Sequence, residues 1–395
     1  MTDLTLYVKS VNMYWLRLLE KTIAETEKTF PVTVITGPRQ SGKSTLLQHY
    51  FAKRDASIIS LDDPDFRNLL SDDPLSYLEH LKKPVVIDEI QYFPELATYV
   101  KILVDKNRKP GQWFITGSQQ FSVMKNVSES LAGRAAILSL PTFQIRERRN
   151  IGELGNYLLS GSYPEIAVKK NVKSDIWYSS YIQTYLERDV RSIMNIPNLR
   201  DFEKLLRLLA AYTSHELNYS SLSNKLGISV PTVKRWVSVL EASYIIFLLP
   251  PFFNNFGKRI IKTPKVYFYD VGLVDHLVGI RDPDFLLKGP MAGQLFETAV
   301  ISEIMKAEYA KGVKPELYFW RSQSGIEIDL IVPEKNHYVA YEIKLSSSIK
   351  PEFYKSIQYW IELSGQKQGR GYLITNCNRQ LPLPGNIENI YWKNL

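Results

Sequence analysis

The sequence is poor in cysteine and has no long hydrophobic run. Its 395 residues include one cysteine, Cys377, so no disulfide can form within the chain, as expected in a reducing compartment. The longest apolar run, at 244–253, is too short to span a bilayer and contains two prolines. The first 15 residues lack an apolar core long enough for a signal peptide. These absences predict a cytoplasmic protein without a membrane partner.

The composition is that of a folded protein with several domains. Apolar residues make up 45% of the chain and aromatic residues 12%, and the length suggests two to four domains. Lys and Arg total 49 against 41 Asp and Glu, which gives a formal net charge of +8. This balance favours a polyanion such as nucleic acid as a partner, although many cytosolic proteins are mildly basic.

The first 140 residues alternate between short apolar strands and helices. An amphipathic helix is predicted over residues 13–29 before the first strand. The predicted strands read VTVIT, ASIISLDD, PVVIDE, QWFITGS and AAILSL. Such alternation predicts the α/β class, with a parallel sheet covered on both faces.

The stretch GPRQSGKS, residues 37–44, fits the phosphate-binding pattern G-x-x-x-x-G-K-[ST] between a strand and a helix. Its glycines let backbone N–H groups surround phosphates, and the helix N-terminus adds partial positive charge. Lys43 is expected to reach the β- and γ-phosphates of ATP, and the Ser44 hydroxyl to bind Mg²⁺. The predicted ATP-binding residues are Gly37, Pro38, Arg39, Gln40, Ser41, Gly42, Lys43, Ser44 and Thr45.

The stretch VVIDE, residues 85–89, supplies the acids that a phosphate loop lacks. Asp88 ends an apolar strand and is expected to hold Mg²⁺, while Glu89 polarises the attacking water. An acid directly after the aspartate marks the branch of P-loop proteins that carries its own catalytic glutamate. The next strand ends in TGS, so Thr116 or Ser118 is expected beside the γ-phosphate, where it would orient the water.

Arg134 stands just before the fifth strand, where AAA+ ATPases carry an arginine finger that reaches a neighbouring subunit. A finger in trans requires a homo-oligomer, and a hexamer is one such assembly. The alternative is a salt bridge at the surface or within the subunit. The stretch GSYPEI at 161–166 resembles the G-x-P element by which the lid of AAA+ and STAND ATPases contacts adenine, with Pro164 on the base.

Further segments carry a family resemblance. They are SLDDPDFRNLLSDDP, VIDEIQYFPEL, FITGSQQF, SLAGR, GSYPE and YLERDV. With these segments the chain resembles the archaeal and bacterial AAA+-type ATPases that carry a C-terminal domain of unknown function. The resemblance implies ATPase activity with ATP and Mg²⁺, and it suggests a role on DNA or as a nucleotide switch.

Four segments follow from these patterns. The predicted order is an AAA+-like P-loop core over 1–145, a helical lid over 146–199, a winged helix over 200–284 and a nuclease-like α/β domain over 285–395.

Residues 220–246 have helix-turn-helix spacing, with Gly227 at the turn. Two helices and a β-hairpin are predicted over 200–275. The predicted DNA-contacting residues are Thr232, Lys234, Arg235 and Ser238 on the second helix, and Lys258 and Arg259 at the hairpin turn. The alternative is a packing module whose charged face is only solvated.

The last hundred residues resemble the PD-(D/E)XK nuclease-like fold. Asp329 lies in one predicted strand, Glu342 and Lys344 share a face of the next, and Glu297 lies near the start of a helix. Two carboxylates and a lysine can hold a second Mg²⁺, or Mn²⁺, and activate water against a phosphodiester. One alternative is a charged amphipathic strand, and another is a nuclease fold kept for binding without cleavage.

Two functions remain open. The leading hypothesis is ATP-dependent action on DNA: translocation, remodelling, or processing of a branched or broken substrate. The rival is a STAND-like switch whose nucleotide state exposes a surface for a protein partner in signalling or defence.

Overall fold

A computed structural model describes residues 14–117, 130–169, 171–185, 199–252, 263–322, 324–335, 337–365 and 369–395. The chain forms two compact units. The first comprises Met1–Phe143 with Ala307–Lys314, and the second comprises Gln144–Lys306 with Pro315–Leu395. No helix among the described residues is both long enough and apolar enough to cross a membrane.

The first unit contains a five-stranded parallel sheet, as predicted. Its strands are β1 (Val32–Thr36), β2 (Ser57–Ser60), β3 (Val85–Asp88), β4 (Trp113–Thr116) and β5 (Ala135–Ser139). The order across the sheet is β2-β3-β4-β1-β5, and every neighbouring pair is parallel. With β4 between β1 and β3, this parallel sheet resembles that of P-loop ATPases.

Five helices accompany this sheet among the described residues before β5. They are α1 (Leu19–Thr26), α2 (Lys43–Tyr50), α3 (Pro64–Asp72), α4 (Pro74–His80) and α5 (Leu96–Lys106). The helix predicted over 13–29 is wrong at both ends, since α1 is only eight residues long. The Glu20 carboxylate accepts the Arg17 amide at 2.9 Å, which satisfies a backbone donor at the start of the helix.

Alternation along β1 sends side chains to both faces of the sheet. Val32 and Val34 pack into a cluster that includes α5 residues. Ile35 packs on the other face against Leu46 and Leu47 of α2. All five residues of β1 are buried, as expected for a central parallel strand covered by helices on both sides.

The second unit begins with helical segments. They are α6 (Leu154–Ser160), α7 (Pro164–Val168), α8 (Ser174–Tyr185), α9 (Leu199–Ala211), α10 (Tyr219–Leu226) and α11 (Val230–Ala242). The prediction of two helices over 200–275 is wrong because α9 adds a third. Its buried Phe202, Leu205, Leu206 and Leu209 recur at helical spacing.

Strands β6 (Ile246–Leu249) and β7 (Lys265–Phe268) then pair antiparallel. The chain continues through α12 (Val271–Val278), α13 (Pro283–Lys288) and α14 (Ala292–Ala310). Gly227 ends α10 with a φ of 67°, and the Ser229 hydroxyl accepts the Thr232 amide to cap α11.

A second five-stranded sheet completes this unit. Its strands are β8 (Tyr318–Arg321), β9 (Glu327–Glu334), β10 (His337–Lys344), β11 (Gly371–Thr375) and β12 (Ile387–Tyr391), with α15 (Lys355–Ser364) on the sheet. The order is β12-β11-β10-β9-β8, with β8–β9 and β9–β10 antiparallel and the other pairs parallel.

The hairpin segment contributes to the core of this second sheet. The Phe252 amide donates to the Phe319 carbonyl oxygen at 2.6 Å, and the Phe252 ring packs against Trp360. Residues on both sides of the boundary predicted at 284/285 therefore share one hydrophobic core.

Candidate functional site

The phosphate loop connects β1 to α2, and two of its glycines have positive φ angles. Gly37 has a φ of 145°, and a Cβ added there would lie 2.2 Å from the Leu140 carbonyl oxygen. Gly42 precedes α2 in a left-handed conformation, with a φ of 91°. A side chain at either position would be strained, which explains the two glycines in the motif.

The side chains inside the loop suit a phosphate ligand. Lys43 is buried, and its Nζ donates to the carbonyl oxygens of Gly37 at 3.1 Å and Pro38 at 2.8 Å. The Ser41 hydroxyl is buried without a hydrogen-bond partner among the described residues. A loop that combines a buried ammonium, an unsatisfied hydroxyl and a helix N-terminus fits a nucleotide phosphate.

Asp88 and Thr116 end adjacent strands, and their side chains are bonded to each other. The Thr116 hydroxyl donates to the Asp88 carboxylate, and the Ser44 hydroxyl is also hydrogen-bonded to Asp88. Burial raises the pKa of Asp88, and these two hydrogen bonds partly oppose the shift. The hydroxyl and carboxylate expected to hold Mg²⁺ are therefore neighbours, and as oxygen donors they suit that ion.

Glu89 has a backbone conformation that is uncommon for a residue with a side chain. Its φ of 57° and ψ of 50° are left-handed. The Glu89 amide donates to the Thr116 hydroxyl oxygen at 3.1 Å, and the Gln91 amide group donates to the Glu89 carboxylate. Thr116 thus bonds to both acidic residues. Ser118, the other residue predicted to orient water, lies outside the described residues.

Arg17 supports the loop and was missed by sequence reasoning. It is 5% exposed, and its guanidinium donates to the carbonyl oxygens of Ser41 and Pro141, both at 2.7 Å. The guanidinium also lies 4.8 Å from the Phe143 ring centroid. No local motif indicates this role, because its partners lie 24 and 124 residues away.

Arg134 forms a bidentate salt bridge within its own subunit. Its Nε and one terminal nitrogen donate to the two Asp105 oxygens at 2.6 and 2.9 Å. The guanidinium lowers the pKa of the exposed Asp105. This contact matches the alternative of an intrasubunit salt bridge, and the finger in trans stays a prediction.

On α11 the buried and exposed faces are those expected from the sequence. Lys234, Arg235 and Ser238 are exposed, while Thr232 is half-buried and bonded to Ser229. Lys258 and Arg259 lie outside the described residues.

The four predicted nuclease-like residues come together in the second unit. Lys344 Nζ lies 2.6 Å from Glu342 Oε1 and 3.6 Å from Asp329 Oδ2. Burial and the Asp329 charge raise the pKa of Glu342 to about 8 and that of Glu297 to about 7. Burial alone would lower the pKa of Lys344. The negative charges of Asp329 and Glu342 have the larger combined effect and raise that pKa.

Sequence reasoning missed a second lysine in this acidic site. Lys265, the first residue of β7, lies 3.5 Å from Glu297 and forms an ion pair with Glu327. The Tyr267 hydroxyl of the same strand donates to Glu297 at 2.6 Å. The one available signal was a lysine at the start of an otherwise apolar strand.

The second metal ion predicted for the acidic site is not supported by the described residues. Within the described ranges, no group of three or more His, Cys, Asp and Glu side chains is arranged to hold one. The carboxylates contact the ammonium groups of Lys265 and Lys344.

Comparison with known proteins matches three parts of the chain to families. Residues 29–148 match an AAA domain, and residues 151–284 and 292–395 match two domains of unknown function, DUF8612 and DUF4143. An uncharacterized protein of Mycobacterium tuberculosis is 31% identical over 320 residues, which cover 80% of this chain and 71% of that protein. The chain belongs to the AAA-domain ATPases with a C-terminal domain of unknown function.

Other relatives are more distant. An uncharacterized protein of Methanocaldococcus jannaschii is 23% identical, with 91% of this chain and 83% of that protein covered. A Walker-type ATPase of Pyrococcus abyssi has a TM-score of 0.46 at 16% identity. The aligned region covers 66% of this chain and 94% of that ATPase chain. A RuvB variant of Thermotoga maritima has a TM-score of 0.28 at 16% identity, with 59% and 86% covered.

In this AAA-domain ATPase the AAA match covers the phosphate loop, Asp88, Glu89 and Arg134, and indicates ATPase activity. Pro164 lies beyond it, at the first position of α7. Its contact with adenine stays a prediction.

Proposed function

We propose that this protein hydrolyses ATP with Mg²⁺ and uses the energy to act on DNA. ATP hydrolysis is supported by one observation above all: the Thr116 hydroxyl is hydrogen-bonded to both the Asp88 carboxylate and the Glu89 amide beside the phosphate loop. Mg²⁺, when bound, would withdraw negative charge from the phosphates and lower the free energy of the transition state.

The residues of the loop and the strand ends divide the work. Lys43 would bind the β- and γ-phosphates, the Ser44 hydroxyl would be a ligand of the ion, and Asp88 would hold the ion through water. Glu89 orients and polarises the attacking water. Thr116 positions both acids, since its hydroxyl donates to one and accepts from the backbone of the other.

Action on DNA is supported by the exposed face of α11 and by the net charge of +8. We propose that α10, α11 and the β6–β7 hairpin act as a winged helix. Lys234 and Arg235 would then contact phosphates, and Ser238 with Thr232 would contact backbone or base edges. The action would be translocation, remodelling, or processing of branched or broken DNA.

The test is steady-state ATP turnover with no DNA and with single-stranded, duplex or branched DNA, at two salt concentrations. We expect DNA to raise turnover, with less stimulation at high salt because phosphate contacts release counterions. Lys43→Ala is the control that removes turnover itself. Normal turnover without any effect of DNA would reject the DNA half and favour the STAND-like switch with a protein partner.

For the C-terminal domain, we propose a nuclease-like fold that does not cleave nucleic acid. Glu297, Asp329, Glu342 and Lys344 meet as a nuclease site requires, but lysines contact the carboxylates. Incubation of labelled DNA and RNA with Mg²⁺ or Mn²⁺, with and without ATP, is expected to give no products. Cleavage that Asp329→Ala and Lys344→Ala abolish would establish the metal-dependent nuclease instead.

We also propose that the protein works as a homo-oligomer in the cytoplasm, with Arg134 released from Asp105 to reach a neighbouring ATP site. A hexamer is the arrangement expected of an AAA+ ring. Light scattering with and without ATP tests the assembly, and a monomer under both conditions would contradict it.

A further inference from the structure

Lys265 is a buried cation surrounded by acidic side chains. Its side chain is 8% exposed, and its Nζ lies 3.5 Å from Glu297 Oε1 and is ion-paired with Glu327. The Asp329 charge also acts on it, and the Phe319 ring centroid lies 5.4 Å from Nζ. A lysine is retained in such a place only when charges compensate its loss of water.

Two lysines share the carboxylates of the site. Lys265 contacts Glu297 and Glu327, whereas Lys344 contacts Glu342 and lies 3.6 Å from Asp329. Asp329 Oδ2 also accepts the Ile343 amide at 2.8 Å. A Mg²⁺ or Mn²⁺ ion needs several oxygen ligands directed at one point, at about 2.0–2.1 Å for Mg²⁺.

Lys265 reaches this site from outside the C-terminal sheet. It begins β7, which pairs with β6, whereas Glu297 lies on α14 and Glu327 on β9. Tyr267, also on β7, donates to Glu297 at 2.6 Å. The acidic site is therefore a composite of the hairpin and the C-terminal domain.

We propose that Lys265 is the resident cation of the acidic site and that its ammonium group excludes a divalent metal ion. It neutralises Glu297 and Glu327 and links β7 to α14 and β9. This inference extends the non-cleaving role proposed above, but its test measures metal binding and stability, so the two can fail separately. Removal of Lys265 leaves an excess of carboxylates that a divalent ion can relieve.

The experiment measures Mn²⁺ binding by electron paramagnetic resonance. It also measures the midpoint of thermal unfolding in EDTA and in Mn²⁺. Every protein carries Asp88→Ala, which removes the acid expected to hold the ion of the ATP site, and no nucleotide is added. The Asp88→Ala parent is expected to show no saturable Mn²⁺ binding. Adding Lys265→Met should create saturable Mn²⁺ binding, lower the thermal midpoint in EDTA and restore it in Mn²⁺. The control Lys350→Met removes an exposed lysine and should change neither measurement.

The gained Mn²⁺ binding should disappear in Lys265→Met with Glu297→Gln. Saturable binding by the Asp88→Ala parent that Asp329→Asn removes would overturn the proposal. So would a folded Lys265→Met protein without a response to Mn²⁺. If Lys265→Met folds only in Mn²⁺, the proposal is supported. If it stays unfolded in Mn²⁺ while the double variant with Glu297→Gln folds, the proposal fails.

Discussion

The Arg17 guanidinium donates to the Ser41 carbonyl oxygen at 2.7 Å and so holds the phosphate loop from outside the motif. A second nitrogen of the same group donates to Pro141 at 2.7 Å. Arg17 therefore ties the loop after β1 to the segment that follows β5. A lysine has one nitrogen and no planar fork, so it cannot reproduce both contacts with the same geometry.

We expect Arg17→Lys to raise the KM for ATP about tenfold, which corresponds to about 1.4 kcal/mol. The kcat should change less, because Arg17 contacts the backbone of the loop and not the acids at the strand ends. Steady-state kinetics at saturating Mg²⁺ would measure both constants. Lys21→Ala, on the exposed side of α1, is the matched control. A wild-type KM in Arg17→Lys would show that the bond to Ser41 does not shape the nucleotide site.

Glu89→Gln should bind ATP and hydrolyse it at least a hundredfold more slowly, because an amide cannot accept a proton from water. Lys43→Ala should bind ATP poorly, because the loop no longer has its buried ammonium. Binding of a fluorescent ATP analogue and turnover of ATP separate the two effects. Near-normal turnover by Glu89→Gln would remove Glu89 from the mechanism.

Arg134 can be tested by mixing inactive subunits. If Arg134 acts on a neighbouring site, Lys43→Ala and Arg134→Ala subunits together should regain part of the wild-type turnover at shared interfaces. Asp105→Asn should not mimic Arg134→Ala, because it only frees the guanidinium from its partner. Absence of recovery in a mixture shown to co-assemble would leave Arg134 with its intrasubunit role.

Lys234→Ala with Arg235→Ala should weaken DNA binding and flatten its salt dependence. Removal of one phosphate-binding side chain lowers the slope of log K against log salt by about 0.9 for duplex DNA. Binding isotherms at four salt concentrations give the slope. Lys53→Ala with Lys109→Ala removes the same charge from exposed positions of the first unit and should leave the slope unchanged. Equal slopes in all three proteins would assign α11 a structural role.

Glu297 gives a pH dependence with a defined sign. Burial and the Asp329 charge raise its pKa from 4.5 to about 7, although Lys265 and the Tyr267 hydrogen bond oppose the shift. Between these pH values the folded protein holds a proton that the unfolded chain has released. The stabilisation that comes from protonated Glu297 is therefore complete below pH 4.5. It is lost as the pH rises to about 7.

Denaturant unfolding of wild type and Glu297→Gln at several pH values would measure this contribution. The unfolding free energy of wild type minus that of Glu297→Gln should fall as the pH rises from 4.5 to about 7. The fall should be at most about 1.4 kcal/mol per pH unit. A constant difference would mean that Glu297 ionises normally in the folded state.

The sequence by itself determined the P-loop core. The strand-to-helix context, the positive φ angles at Gly37 and Gly42, and the acids at the end of β3 all follow from residues close together in the chain. It also determined that Asp329 and Glu342 would meet, because alternation and strand pairing act locally between β9 and β10. The exposed face of α11 follows equally from helical periodicity.

Only the tertiary structure decided the partners of the isolated charges. Arg17 meets Pro141 across 124 residues, Arg134 selects Asp105, and Lys265 enters an acidic site made by α14 and β9. Spacing along the chain carries no signal for such pairs. A lone charge bonds to whichever opposite charge or carbonyl oxygen the packing of distant elements places within reach, because burial makes an uncompensated charge costly.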